Sequence, residues 1–217
     1  MPTGRLQRLL PLSGALFAVV MTAGLLLTSG EPDSGAPKAH IYDYWQSHYG
    51  RQLVSSLLLI PLGIVFLLAF AAEVRRAVRS DEADAGAYSP LALAGGIVAG
   101  TGLGVTGSLS AAVATAAHHH AADATYTLAQ LQSYDWVPWM VGFAVLLLAS
   151  GIGGLRTSAL PKPLAVIALV LGIASLTPAG YLALLAFPLW TLATGIALYR
   201  RQRTPRPSPG RAATQPA

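Results

Sequence analysis

The sequence contains no cysteine and few charged residues. The absence of cysteine excludes disulfide bonds, thiolate metal sites, cysteine nucleophiles and cysteine-held iron–sulfur clusters. Only 11% of the 217 residues are charged, against about 25% in an ordinary soluble domain, whereas 53% are hydrophobic. A water-soluble fold would lack the polar residues needed to cover its surface, so the composition indicates a multi-pass membrane protein.

Six apolar segments account for most of the chain. A helix needs about 20 apolar residues to cross a bilayer. We expect an all-α fold, namely a polytopic transmembrane helical bundle. Its six spans are expected at 9–28, 53–72, 91–117, 137–155, 164–176 and 182–199. The fifth segment is short and requires a thin or tilted crossing. Residues 1–199 would form this six-helix domain, and residues 200–217, rich in Arg and Pro, a disordered basic cytoplasmic tail.

Basic residues cluster in alternate connections between these segments. Lys and Arg near helix ends are retained in the cytoplasm. With six spans, twelve of the 14 basic residues fall on one side, and only Lys38 and Arg51 fall on the other. We therefore expect both termini to be cytoplasmic. The net charge of +5 then indicates membrane orientation and attraction to anionic headgroups, and not a nucleic-acid partner.

The first segment has an alternative interpretation as a signal peptide. Arg5 and Arg8 would be its basic region, and small residues at 34–36 its cleavage site. Its apolar run of about 20 residues exceeds the usual core of a signal peptide, which favours a retained helix.

Small residues recur at every fourth position of the third segment. Such a stripe lets another helix approach closely inside a bilayer, where dispersion contacts hold helices together. We expect this helix to be central, with a glycine-lined permeation path as the alternative. The expected helix-packing residues are Gly96, Gly100, Gly104, Ser108 and Ala112.

The same segment also contains glycines with the spacing of a cofactor-binding motif. Gly102, Gly104 and Gly107 have the spacing of the dinucleotide fingerprint G-x-G-x-x-G. That fingerprint requires a strand, a turn and a helix in a soluble domain, whereas these glycines lie within an apolar helix. We therefore expect no cofactor.

All five histidines fall in the two connections expected outside the cytoplasm. Imidazole and carboxylate groups there could bind Zn²⁺ or another divalent ion. On a continuing helix three consecutive imidazoles diverge, but Asp123 would share a face with His119 or His120. The candidate metal ligands are His40, His48, His118, His119, His120 and Asp123. The alternative interpretation is a set of solvated residues at the membrane interface.

The two outward connections are expected to contain short helices, at 40–51 and within 118–136. Their aromatic residues, such as Tyr44 and Trp45, are expected at headgroup level. Because an arginine near hydrocarbon requires an anionic partner, we expect an interface ion pair between Arg51 and Asp43 or Asp135.

Prolines lie inside two of the apolar segments. Pro61 and Pro188 should kink the second and sixth helices because proline removes a backbone donor. The freed carbonyls, or the nearby Thr191, could then line a polar pocket.

Several features of layout occur together. They are an apolar first segment, a Tyr-Trp-x-x-His-x-x-Arg motif at 44–51, a basic loop after the second segment, a Gly-rich third segment and Leu-Pro-Lys-Pro at 160–163. In this layout the chain resembles uncharacterised six-helix integral membrane proteins of high-GC Gram-positive bacteria. The resemblance implies residence in the bacterial cytoplasmic (plasma) membrane and brings no known activity or catalytic residue.

The interiors of the expected spans contain no Asp, Glu, Lys, Arg or His. Membrane enzymes and ion-coupled transporters usually need such groups there. We therefore expect a non-enzymatic structural or partner-binding integral membrane protein, whose partners are the lipid bilayer and either other membrane proteins or a second copy of itself. The alternative is a small-solute or divalent-metal transporter with the extracytoplasmic His/Asp cluster as its entrance.

Overall fold

Helices form every regular element that the computed structural model describes, in residues 10–79, 87–178 and 180–203. A 3-10 turn at Leu10–Leu12 leads into the first helix. The elements are α1 (Ser13–Leu27), α2 (Lys38–Ser47), α3 (Tyr49–Val54), a π-helical segment (Ser55–Leu59), α4 (Ile60–Arg79), α5 (Tyr88–His118), α6 (Ala122–Gln132), α7 (Trp136–Thr157), α8 (Lys162–Ala174) and α9 (Gly180–Arg203).

Five helical runs in the described residues are long and apolar enough to cross a membrane, as expected for a multi-pass membrane protein. They are Leu10–Leu27, Tyr49–Arg79, Tyr88–His118, Ala122–Thr157 and Gly180–Gln202. The fifth predicted span corresponds to α8, which has 13 residues. At 1.5 Å per residue α8 is roughly 20 Å long, shorter than the roughly 30 Å hydrocarbon core of a bilayer.

Two helices extend beyond their apolar segments. The second run reaches Arg79, although the predicted span ended at residue 72, because apolar composition marks only the lipid-facing part of a helix. Similarly, α9 continues to Arg203, so the tail predicted as disordered at 200–217 begins inside a helix. Residues 204–217 lie outside the described residues.

The long helix α5 contacts α2, α3, the π-helical segment, α4, α6 and α7, which places it at the centre of the bundle. The predicted small-residue stripe faces α4 over its first half. Gly96 lies against Ala71, and a Cβ added to Gly100 would lie 3.2 Å from Ile64. Further along, Ser108 is exposed and its hydroxyl donates to the Gly104 carbonyl at 2.9 Å.

The tightest backbone approach of α5 involves a different face, which the fourfold stripe does not predict. There α7 crosses α5, with Gly142 against the backbone of Ala99 and Gly102 against the backbone of Trp139. Glycine on both helices removes the Cβ atoms that would hold the two backbones apart. Two faces of α5 therefore carry close helix contacts.

Aromatic side chains join four helices in the core. The rings of Phe17 and Phe187 are 5.7 Å apart, those of Phe143 and Phe187 are 4.1 Å apart, and those of Phe70 and Trp190 are 5.7 Å apart. All five side chains are at most 2% exposed. This cluster connects α1, α4, α7 and α9 through large buried surfaces.

Candidate functional site

A cap of two short helices, α2 and α6, covers one end of α5. Both outer connections contain a short helix, as predicted, but the first one ends at Ser47 and not at residue 51. The cap has its own apolar core, formed by Ile41, Tyr44, Trp45, Val113, Ala114 and Ala117. Tyr44 is 7% exposed and Trp45 is 1% exposed, so these two aromatics are core residues of the cap.

Polar contacts fasten the two cap helices to each other. Lys38 of α2 forms an ion pair with Asp123 of α6. The Tyr42 hydroxyl lies 3.0 Å and the Gln46 amide nitrogen 3.1 Å from Nδ1 of His120. These contacts bridge segments that are far apart in sequence, so the cap is a folded unit.

The metal-site spacing predicted for the histidines is wrong because the helix does not continue through them. Helix α5 ends at His118, and α6 begins at Ala122. His120 has φ = 59°, the left-handed conformation that ends many helices. His119 and His120 therefore do not share a helical face with Asp123.

Four of the six predicted metal ligands, His48, His118, His120 and Asp123, contact other protein groups. The ring of His118 stacks on Tyr49 at 4.2 Å, and Nδ1 of His48 lies 2.8 Å from the Tyr44 carbonyl. His40 is an exposed residue of α2. Within the described residues no group of three or more His, Cys, Asp or Glu side chains is arranged to hold a metal ion.

Arg51 is anchored by a tyrosine and not by a carboxylate. Its Nη2 donates to the Tyr44 hydroxyl at 3.3 Å, and Nε2 of Gln52 donates to the same oxygen at 3.2 Å. Among the ion pairs of the described residues, Arg51 is paired with neither Asp43 nor Asp135. The hydroxyl of Tyr44, seven residues before Arg51, therefore takes the place of the expected carboxylate.

A cavity of about 160 Å³ lies in the bundle at the cap end. Its walls come from α1, the π-helical segment, α4, α5, α7 and α9, and they are largely apolar, with Phe17, Leu103 and Leu184 among them. Its polar lining comes from the cap-side parts of the second and third runs and from the connection after α1: Thr28, Glu31, Gln52, Ser55, Ser56, Thr106 and Ser110. The cavity therefore has an apolar body and one polar end.

The π-helical segment shapes this polar end. The N–H of Ile60 bonds to the carbonyl of Ser55, five residues back. Pro61 follows directly, and in a regular α-helix its ring would clash with the carbonyl of Leu57. Widening the helix to a π turn relieves that clash, and such turns are frequent at functional sites.

Two polar groups on the cavity wall are buried and unpaired. The Ser56 side chain is 3% exposed, and its hydroxyl has no hydrogen-bond partner. Ser108 and Ser150, on regular helices, instead donate to the carbonyl four residues back, at 2.9 Å and 2.5 Å. Nε1 of Trp139 is likewise buried without a partner. Each of these two lining residues therefore has a polar atom that is enclosed by the protein without a hydrogen-bond partner.

Glu31 lies between this cavity and a second one of about 330 Å³ under the cap, and it lines both. Nε2 of Gln132 lies 3.4 Å from its carboxylate and donates to the Ser110 hydroxyl at 3.0 Å. Desolvation by the surrounding protein, with a smaller contribution from the charge of Asp135, raises the pKa of Glu31 to about 7. The side chain keeps exposed surface, part of which lines the two cavities.

The cavity was not predicted from the sequence, because only charged residues in the spans were considered as signs of a site. The available signal was uncharged: Gln52, Ser55 and Ser56 lie within the nine residues before Pro61, in a stretch that is otherwise apolar. Pro61 was predicted to kink the second helix; the structure has a π-helical segment directly before it, beside the cavity, within a continuous helical run. Thr191, named as a second polar candidate, is fully buried and donates to the Pro188 carbonyl at 2.9 Å.

Comparisons of the chain with protein-family models, with curated proteins and with solved structures found no match in any of the three. The residues and contacts described above are therefore the basis for a functional proposal.

Proposed function

We propose that this chain is a non-enzymatic integral membrane protein of the bacterial plasma membrane that binds a small amphipathic molecule from the lipid phase. The cavity at the cap end is the binding site. Its apolar walls accommodate the hydrocarbon part of the molecule, and its polar end accommodates the head. The resemblance in layout to six-helix membrane proteins of high-GC Gram-positive bacteria supports the plasma membrane as its location.

Six membrane segments with both termini in the cytoplasm complete the proposal. The distribution of Lys and Arg supports this topology, because it leaves Lys38 and Arg51 alone on the outer side. The short helix α8 would be the fifth segment, and its exposed face is apolar, with Val166, Val170 and Ile173 between 49% and 60% exposed. The cap and the polar end of the cavity then face outward.

The cavity itself is the observation that carries the proposal, because it combines largely apolar walls with a polar end that includes Thr28, Gln52 and Ser55. Ligand sites in proteins are mostly apolar and have a few polar groups that fix the orientation of the ligand. The size fits as well, since an engineered apolar cavity of about 150 Å³ binds benzene. A cavity of about 160 Å³ therefore accommodates a small molecule or one segment of a longer chain.

The polar groups that line the cavity support binding over catalysis. Ser56 has no neighbouring base to activate it as a nucleophile, since its hydroxyl is unpaired. The remaining polar lining consists of hydroxyls, an amide, an indole and the carboxyl of Glu31 at the end of the cavity. Such groups orient a ligand in an apolar pocket.

Photolabelling tests the proposed site. The probe is a long-chain alcohol that carries an aliphatic diazirine, added to membranes that contain the protein and followed by peptide mass spectrometry. Gly63→Leu should block the cavity, because Gly63 lines it and the nearest side-chain atom to an added Cβ is 3.6 Å away, on Val20. Val65→Leu is the matched control, since Val65 lies on the same helix and is 60% exposed.

We expect the wild type and Val65→Leu to be labelled on cavity residues such as Met21 and Leu103, and Gly63→Leu to lose that labelling. Labelling confined in all three proteins to outward residues such as Val19 and Leu26, which are 66% and 69% exposed, would contradict the proposed binding site. Flux of the same alcohol across proteoliposomes distinguishes a carrier from a binding protein.

A further inference from the structure

Glu31 is the only residue with a titratable side chain among the described residues that line the cavity in the bundle. It lies at the polar end of that cavity and keeps accessible surface, so a molecule in the cavity can reach it. The few polar groups of an apolar pocket fix the orientation and the kind of ligand. The charge of Glu31 therefore bears on the head of the bound molecule, and an inference about that head rests on the proposed function, because it concerns the occupant of the same cavity.

The carboxylate of Glu31 lies where the two cavities meet. Nε2 of Gln132 lies 3.4 Å from its Oε1 and also donates to the Ser110 hydroxyl at 3.0 Å. Gln132 lines the cavity under the cap, whereas Ser110 lines the cavity in the bundle. One amide group thus contacts both the carboxylate and a wall residue of the cavity in the bundle, which places the carboxylate at the junction.

This carboxylate has no ion-pair partner among the described residues. Lys38 is paired with Asp123 instead, and Arg51 donates to the Tyr44 hydroxyl. The described linings of the two cavities contain no Lys, Arg or His. A carboxylate that is removed from water is costly unless a cation accompanies it. The positive charge that would offset this cost is therefore left for a ligand to supply.

The cavity under the cap adds negative charge next to Glu31. Asp33 and Asp135 line it together with Glu31. Desolvation and, to a smaller extent, the charge of Asp135 raise the pKa of Glu31 to about 7. Both effects disfavour the ionised carboxylate, and a cation beside it would counter both. Clefts lined by charge of one sign concentrate ions of the opposite sign. A cationic head is thus attracted to the polar end, whereas an anionic head is repelled.

We infer that the cavity binds a single-chain cationic amphiphile, with an alkyl segment in the apolar body of the cavity and an ammonium group against the carboxylate of Glu31. The volume of about 160 Å³ suits one alkyl segment, and Phe17, Met21 and Leu103 are among the apolar residues that would contact it. An ion pair that is partly shielded from water is stronger than one at an exposed surface. The ammonium group therefore adds affinity to that of the alkyl chain.

Competition against the diazirine alcohol tests this inference in the full-length protein, in vesicles of zwitterionic phosphatidylcholine. The pH is held well above the pKa of Glu31, which is about 7. The competitors are dodecyltrimethylammonium, its neutral isostere with carbon in place of nitrogen, and dodecanesulfonate, compared at equal amounts bound to the vesicles. We expect the cation to compete about three- to tenfold better than the neutral isostere, the range of a partly exposed ion pair. Dodecanesulfonate should compete least.

A conservative variant assigns the preference to the carboxylate. Glu31→Gln keeps the size of the side chain and removes its charge, so the advantage of the cation over the neutral isostere should fall towards one. Asp33→Asn is the matched control, because Asp33 lines the cavity under the cap and not the cavity in the bundle, and most of the advantage should remain. Competition by the neutral isostere in both variants shows that the cavity itself is intact.

Two results would overturn the inference while leaving the proposed function intact: equal competition by the cation and its neutral isostere in the wild type, or an unchanged advantage of the cation in Glu31→Gln. Stronger competition by dodecanesulfonate than by the neutral isostere would equally overturn it, because an anionic head would then be preferred. Failure of every competitor, together with unchanged labelling in Gly63→Leu, would overturn the proposed function itself and the inference with it.

Discussion

Gly142 of α7 lies directly on the backbone of Ala99 in α5. A Cβ atom added to Gly142 would overlap the Ala99 nitrogen and Cα, which are main-chain atoms that cannot rotate away. By contrast, the nearest atom to a Cβ added at Gly104 is the flexible Cδ1 of Ile64, at 3.7 Å. A Cβ atom is therefore excluded at Gly142 and accommodated at Gly104, although both glycines lie in apolar helices.

Replacing Gly142 with alanine should consequently destabilise the bundle, whereas Gly104→Ala should be tolerated. Overpacking of this kind typically costs about 1–3 kcal/mol, and an ordinary Gly-to-Ala change within a helix alters stability by about 1 kcal/mol or less. Thermal unfolding of the two variants in the same detergent measures the difference. Equal melting temperatures would show that α5 and α7 are not held together by this contact.

The close approach at Gly142 illustrates what the sequence could and could not predict. Apolar runs predicted the long helices because hydrocarbon requires continuous apolar length, and the fourfold stripe identified Gly96 and Gly100 on the face towards α4. The contact with α7 depends on where two distant helices cross, which no repeat within one helix encodes. Crossing points are fixed by tertiary packing.

Tyr44 is expected to hold the cap onto the bundle. Its hydroxyl accepts from Arg51 and Gln52, and its oxygen lies 3.4 Å from the Thr28 carbonyl, to which it can donate. Tyr44→Phe would leave these groups without that partner, and we expect a loss of about 1–3 kcal/mol. Tyr134→Phe, at a position 73% exposed, is the control. Protease cleavage in the connection at 28–37 reports whether the cap has loosened.

The prediction for Arg51 considered charge alone. For that reason it named a carboxylate as the partner, whereas the structure has the hydroxyl of Tyr44. A carboxylate is the usual partner of an arginine near hydrocarbon, and both Asp43 and Asp135 were available in the outer connections. Tyr44 and Arg51 are seven residues apart, a separation that places two side chains on the same face of a helix, and their hydrogen bond spans the junction of α2 and α3 at His48. The charge argument missed this neutral partner because it considered only carboxylates.

Glu31 should make stability depend on pH. Its pKa in the folded protein is raised from 4.5 to about 7, so between these values the folded state binds more protons than the unfolded state. Stability therefore falls as the pH rises from 4.5 through 7. Glu31→Gln should remove that part of the pH dependence in a series of melting curves.

The acidic residues Asp33 and Asp135 line the second cavity together with Glu31, and the charge of Asp135 contributes to the raised pKa. Asp33→Asn is the control, because it removes a carboxylate from the same cavity and leaves Glu31 in place. A Glu31→Gln variant that retains the full wild-type pH profile would show that Glu31 does not titrate in this range.

The number of membrane segments can be measured with single cysteines, because the natural chain has none. Ser34→Cys, Ser158→Cys and Pro178→Cys place a thiol in the connections after α1, α7 and α8, at positions that are all exposed. Six segments with cytoplasmic termini predict that an impermeant maleimide added to intact cells labels the thiols at 34 and 178 and not the one at 158. All three should react after the membrane is permeabilised. Equal reactivity at 158 and 178 in intact cells would mean that α8 does not cross, because the connections on its two sides would then lie in the same compartment.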